Sequence, residues 1–127
     1  MIFYEWNINT IANWNKKTFP VNNTRGQRIK CMLEAKEYLK AKSHADRIEE
    51  LADFFIANAG LGGRFNDESG LLVCELIKDL DYWPEVNTAV QKKMQVNVGR
   101  TWYRTHKGEW RHVEANNEQQ QASKPKA

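Results

Sequence analysis

Four acidic residues stand at a spacing that could hold a metal ion. Glu34 and Glu37 are three apart, and so are Glu50 and Asp53. Residues three apart on a helix share a face, so each pair would present two carboxylates side by side. Each pair also interrupts an apolar pattern. Leu33 precedes Glu34, while Leu51 and Ala52 lie between Glu50 and Asp53. Twelve residues, 38 to 49, separate the pairs, with a short break at Lys42-Ser43. A break that short makes the two helices antiparallel neighbours and turns the pairs toward each other. Carboxylates converging beside a core repel one another and lose solvation. A hard divalent cation relieves both costs, and Mg²⁺ takes a few carboxylates plus water and substrate phosphates. The alternative is a solvated face on which Lys36, Lys40 and Arg47 neutralise the acids locally.

The elements that must position these groups read as helices. Ile8, Ile11 and Trp14 recur at three-residue spacing and predict a short helix that Pro20 ends. Residues 21–26 read as a polar loop. Ile29, Met32, Leu33, Ala35 and Leu39 predict a helix over 27–42. Ser43 followed by Asp46 reads as the start of the next helix, over 44–59, with Gly60, Gly62 and Gly63 expected to stop it. Residues 64–70 read as loop. Further helices are predicted over 71–80 and 85–98, separated by Asp81-Tyr82-Trp83-Pro84. Trp102–Thr105 and Trp110–Val113 then read as a short β-hairpin around a Lys107-Gly108 turn. The expected architecture is all-α, an antiparallel four-helix-type bundle with a C-terminal hairpin. One domain over 1–115 and a polar, disordered tail over 116–127 account for the chain.

Composition narrows the classes. The chain has 127 residues, too few for two ordinary domains. Its 19 basic and 16 acidic residues give a net charge of +3, too small to argue for nucleic acid by itself. No apolar run approaches the ~20 residues of a membrane span. Residues 1–6 lack the basic start of a secretory leader. Cys31 and Cys74 sit far apart in apolar surroundings and read as buried thiols of a reducing compartment. A soluble cytoplasmic protein is expected.

A family pattern adds to these readings. Glu34-Ala35-Lys36-Glu37, a spacer, then Glu50-Leu51-Ala52-Asp53 resembles the E-x-x-E…E-x-x-D metal signature of the MazG-like, all-α nucleoside triphosphate pyrophosphohydrolases. Trp14–Pro20 is similar to the segment before the first metal helix in the phage and bacterial dATP/dGTP pyrophosphohydrolase branch. Residues 93–102, with Lys93, Met94, Asn97, Arg100 and Trp102, resemble its K-M-x-x-N-x-x-R-x-W element. The likeness spans residues 11–114 in order. It departs at Tyr103, where a glycine is common, and in a spacer at the short end for the family.

The resemblance implies Mg²⁺-dependent cleavage of a nucleoside triphosphate to the monophosphate and pyrophosphate, with Mn²⁺ as a substitute ion. It implies Glu34, Glu37, Glu50 and Asp53 as metal ligands. It implies Lys93, Asn97 and Arg100 as phosphate or sugar contacts, and these three share a helical stripe. Glu34 or Glu49 would serve as general base, and Trp14 or Trp102 would stack on a purine base. The resemblance further implies a homodimer or homotetramer. Two competing readings are a nucleic-acid-binding module and an inactive nucleotide-binding relative. The first rests on the interleaved Trp102, Tyr103, Arg104, Lys107, Trp110 and Arg111.

Overall fold

The structure, a computed structural model, describes residues 5–106 and 110–113. The Lys107-Gly108 turn, the 1–115 boundary and the 116–127 tail expected from the sequence lie outside the described residues. The described residues are mostly helical and form five helices and one two-stranded antiparallel hairpin. The helices are α1 (Ile8–Thr18), α2 (Thr24–Lys40), α3 (His44–Phe65), α4 (Glu68–Lys78) and α5 (Trp83–Asn97). The strands are β1 (Trp102–Arg104) and β2 (Trp110–His112). Among the described residues no helix is long and apolar enough to cross a membrane.

Short polar side chains set the helix starts. Asn7 and Thr10 cap α1 reciprocally, each side-chain oxygen accepting the other's backbone N–H at 3.0 and 2.7 Å. Asn23 accepts the Gly26 N–H at 2.8 Å, so α2 begins three residues before the expected start. Ser43 accepts the Asp46 N–H at 3.1 Å and starts α3 where the sequence placed it. Asp67 accepts the Ser69 N–H at 3.0 Å, and α4 therefore begins at Glu68 inside the expected loop. Pro84 stands in the first turn of α5, where its missing N–H costs nothing.

The largest difference from the sequence reading is the end of α3. The helix does not stop at Gly60. It runs through Gly62 and Gly63 to Phe65 and ends at Asn66 in the left-handed conformation, φ 53°. The glycines serve contact instead of termination. A Cβ on Gly62 would lie 2.7 Å from the Leu71 backbone nitrogen, and one on Gly70 would lie 2.8 Å from the Gly62 nitrogen. The backbones of α3 and α4 therefore meet at a glycine pair that no side chain could enter.

α3 packs against α1, α2, α4 and α5, and so forms the centre of the molecule. Ile48, Leu51, Phe55 and Ala59 from α3 meet Ile11, Cys74, Ile77, Val86, Val90 and Met94 from its neighbours. Residues 55–62 of α3 are buried on every side, which is why apolar and small residues fill the stretch apart from Asn58, whose amide donates to the Phe54 backbone oxygen at 2.8 Å. The hairpin register pairs Trp102 with His112 and Arg104 with Trp110. The two-residue period of a strand puts these four on one face. Trp102 and Trp110 both pack on Phe19, with ring centroids 5.0 and 5.1 Å away. The hairpin thus closes over the end of α1.

Candidate functional site

Three of the four predicted metal ligands come together. Only residues 41–43 join α2 to α3, and the two helices pack side by side. This brings Glu34 of α2 opposite Glu50 and Asp53 of α3. One carboxylate oxygen from each lies within 4.8 Å of the others. Glu37 stands one turn nearer the α2–α3 connection and does not join this group. Its carboxylate is exposed and 4.0 Å from the Lys40 ammonium.

Two lysines partly neutralise the acids. Lys30 lies one turn before Glu34 on α2 and reaches it at 2.7 Å. Lys93 of α5 bridges Asp53 at 3.3 Å and Glu49 at 3.0 Å. The compensation is incomplete. Burial, partly offset by Lys93 and reinforced by Glu34, pushes the Asp53 carboxyl up to about 6. Burial and the charge of Glu34 also raise Glu50. Burial works against the Lys93 ammonium, but Asp53 and Glu49 outweigh it and hold its pKa above the ordinary lysine value. The cluster offers three hard oxygen donors, the ligand type that divalent cations such as magnesium take. Glu49 is exposed, lies outside the oxygen cluster and pairs with Lys93.

Glu34 and Asp53 line a cleft that encloses about 630 Å³, its open mouth included. Lys30 and Arg100 add cations to its lining. Trp14, Phe19, Trp102 and Trp110 add aromatic rings. Trp14 meets Phe19 and Trp102 edge to face at 5.3 and 5.8 Å. Asn97 lines the same cleft. It is buried, its side-chain oxygen accepts from Arg100 at 3.1 Å, and its backbone oxygen accepts from the Trp102 indole at 3.3 Å. Arg100 lies beyond the end of α5 and is placed by Asn97; of the expected stripe, Asn97 and Arg100 line the cleft, while Lys93 pairs with Asp53 and Glu49.

The sequence reading missed the floor of the cleft. Asn15, Asn22 and Gln27 are all buried there. Gln27 accepts the side-chain amides of Asn22 at 2.7 Å and Asn15 at 3.4 Å, and donates to the Ala57 backbone oxygen at 2.8 Å. Arg64 supports this group from α3. Its guanidinium donates to the Asn15 side chain at 3.1 Å and to the backbone oxygens of Phe19 and Asn22 at 2.8 and 3.3 Å. Burial lowers the Arg64 pKa. A Cβ on Gly60 would lie 2.9 Å from the Asn15 amide nitrogen, so this glycine makes room for the network. Lys30 was also missed, though its position four residues before Glu34 is a legible helical pairing. His112, read as having no chemistry, lines the same cleft.

No family model, curated protein or solved structure matches the chain.

Proposed function

We propose that this chain is a Mg²⁺-dependent nucleoside triphosphate pyrophosphohydrolase that converts a purine (deoxy)nucleoside triphosphate to its monophosphate and pyrophosphate. The observation that carries the reading is the mixed lining of one cleft. Carboxylates and cations share it with flat aromatic rings over a buried amide floor. A nucleotide has the same combination, charged phosphates joined to a flat base.

Glu34, Glu50 and Asp53 would hold magnesium. When bound, the ion supplies neutralisation of phosphate charge and acidification of water. The chain's own groups do the rest. Lys30 and Lys93 already face the carboxylates, and each can turn from its acid to a phosphate oxygen once the acid has another partner. Arg100, fixed by Asn97, lines the same cleft and would stabilise charge growing on the departing pyrophosphate. Glu34 or Glu49 would accept the proton of the attacking water. Trp14 and Trp102 form an apolar wall for the base. The same packing lends less support to a nucleic-acid-binding hairpin, because Trp102 and Trp110 lean on Phe19 and are not displayed to solvent.

The test is pyrophosphate release by the purified chain from a panel of the eight common nucleoside triphosphates with Mg²⁺. A purine nucleotide is expected to be turned over, and a Glu50→Gln, Asp53→Asn double variant is expected to be inactive. Wild-type turnover by the double variant, or no turnover by the wild type, would overturn the reading.

A further inference from the structure

We infer that a second groove, which shares Glu34 with the cleft, is a subsite for the terminal phosphates of the substrate, with Arg111 as the specificity-determining cation that reads the length of the phosphate chain. This rests on the nucleotide reading above and deepens it.

The groove lies between α2 and the hairpin and encloses about 810 Å³, its open mouth included. Lys30, Leu33, Glu34 and Glu37 line it from α2, at the spacing of one helical face. Tyr103, Arg111 and His112 line it from the hairpin. Lys30, Glu34 and His112 also line the cleft, so these three side chains stand at the boundary of the two spaces. The rings of Trp14, Phe19, Trp102 and Trp110 belong to the cleft alone. A nucleotide with its base among those rings and its phosphates at Glu34 therefore has the groove next to it, open to the rest of the chain of phosphates.

The hairpin places Arg111 there. Tyr103 and Arg111 are directly opposite in the register and share one face of the ribbon. Arg111 is exposed, but its strand neighbours are held. Trp110 packs on Phe19 at 5.1 Å, and His112 packs edge to face on Trp102 at 5.7 Å. The backbone of Arg111 is thus anchored on both sides while its side chain lines an open groove.

The charges decide what such a groove takes. Lys30 pairs with Glu34 at 2.7 Å, and Glu37 is exposed with the Lys40 ammonium 4.0 Å away. Glu34 and Glu37 then balance Lys30 and Arg111 in the lining. With Glu34 committed to a divalent ion, Lys30 loses its partner and the lining turns net positive, which favours an anion of several charges. Arg111 adds a planar fork of N–H donors, the geometry that holds two phosphate oxygens at once. Tyr103, the position at which the chain departs from the resemblance, adds a phenol to the same face.

The experiment measures binding of inorganic pyrophosphate and of dGMP to the full chain with Mg²⁺ by calorimetry, and kcat/KM for dGTP and dGDP. The wild type is expected to bind pyrophosphate and to favour dGTP over dGDP. Arg111→Gln removes the charge and the fork from an exposed position. It is expected to weaken pyrophosphate by ~10-fold or more, the scale of a hydrogen bond to a charged group, and to change dGMP by less than ~3-fold. The dGTP-to-dGDP ratio should narrow with it. Arg111→Lys keeps the charge and is expected to recover part of the loss. A wild type that turns over dGTP but does not bind pyrophosphate would overturn the inference and leave the hydrolase reading in place. So would a folded Arg111→Gln with unchanged pyrophosphate affinity and an unchanged ratio. A loss on dGMP as large as on pyrophosphate would overturn it too, by placing the base in the groove. Should Arg111→Gln not fold, Arg111→Lys decides by the same comparison, with a smaller loss confined to pyrophosphate expected. If the wild type turns over no nucleotide, the hydrolase reading fails. The subsite is then decided by pyrophosphate binding alone, which the wild type must show and Arg111→Gln must weaken.

Discussion

Asp53 gives the sharpest perturbation, because the fold holds its carboxyl at about 6 against an ordinary value of 3.8. Two units of displacement correspond to about 3 kcal/mol between the protonated and ionised forms. A third of the side chain meets solvent, which screens the charge and reduces the figure to roughly 1–2 kcal/mol. The folded value is the raised one, so the native state binds more protons than the unfolded chain between pH ~4 and ~6. Stability of the metal-free protein therefore falls as pH rises through that window and levels off above it. Asparagine keeps the shape and a carbonyl oxygen for Lys93 but cannot ionise, and Glu49 still pairs with the ammonium. Asp53→Asn is thus expected to be more stable than the wild type at pH 7.5 in chelator, by roughly 1–2 kcal/mol or some 3–8 °C in Tm.

Magnesium should reverse the order. Saturating ion stabilises the wild type by about 2.7 kcal/mol at a hundredfold excess over its Kd, whereas the variant has lost a ligand and should gain little. Thermal melts of both proteins, with and without Mg²⁺, between pH 4.5 and 8, contain the whole comparison. The reasoning is refuted if Asp53→Asn melts below the wild type in chelator. Equal gains from Mg²⁺ in the two proteins would refute it as well.

Three further outcomes follow from the geometry. Glu34→Gln should lower pyrophosphate release by at least ~100-fold, the upper range for disturbing a metal ligand's surroundings, while the exposed Glu37→Gln should lower it by less than ~10-fold; equal losses would restore a four-carboxylate site. Gly70→Ala would place a Cβ 2.8 Å from the Gly62 nitrogen and 2.9 Å from the Asn58 oxygen, both backbone, and should cost about 1–3 kcal/mol by urea denaturation. Burial pushes the Cys31 and Cys74 thiols up to about 12, so a chromogenic disulfide reagent at pH 8 should label neither until the protein is unfolded in urea.

What the sequence makes legible is local, and what it hides is the approach of distant segments. The Ser43 cap and the three-residue spacing of Glu50 and Asp53 are short-range features, and both stand in the structure as read. The Trp102–Thr105 and Trp110–Val113 hairpin is legible for the same reason, since alternation and length suffice. Gly60, Gly62 and Gly63 mislead because a glycine that ends a helix and one that admits a neighbour look alike in one dimension. Only Leu71, Ala12 and Asn15, brought from elsewhere, reveal the second role. Asn15 and Gln27 read as polar interruptions of helix faces. Their partnership spans twelve residues and depends on Arg64 and Ala57 of α3. Glu37 shows the converse limit: a helical spacing of three establishes a shared face and leaves open how far along the partner helix that face extends.

The position of the carboxylates on α3 has an energetic reason. Ionised Asp53 and Glu50 resist their surroundings, and a peripheral helix could relieve that by fraying or rotating outward. α3 cannot do so, because the same two turns place Ile48, Leu51, Ala52 and Phe55 in the core. Burying each of the three larger side chains contributes about 1.5–3 kcal/mol, together well above the 1–2 kcal/mol for holding Asp53 ionised. Lys93 enters from α5 beside Met94, a fully buried residue, so the cation facing the acids is anchored in the same core. The acids and their counter-charge are thereby held close before any cation arrives. A cation bound there would gain electrostatic energy without first having to assemble its ligands, which is the physical content of a preorganised site.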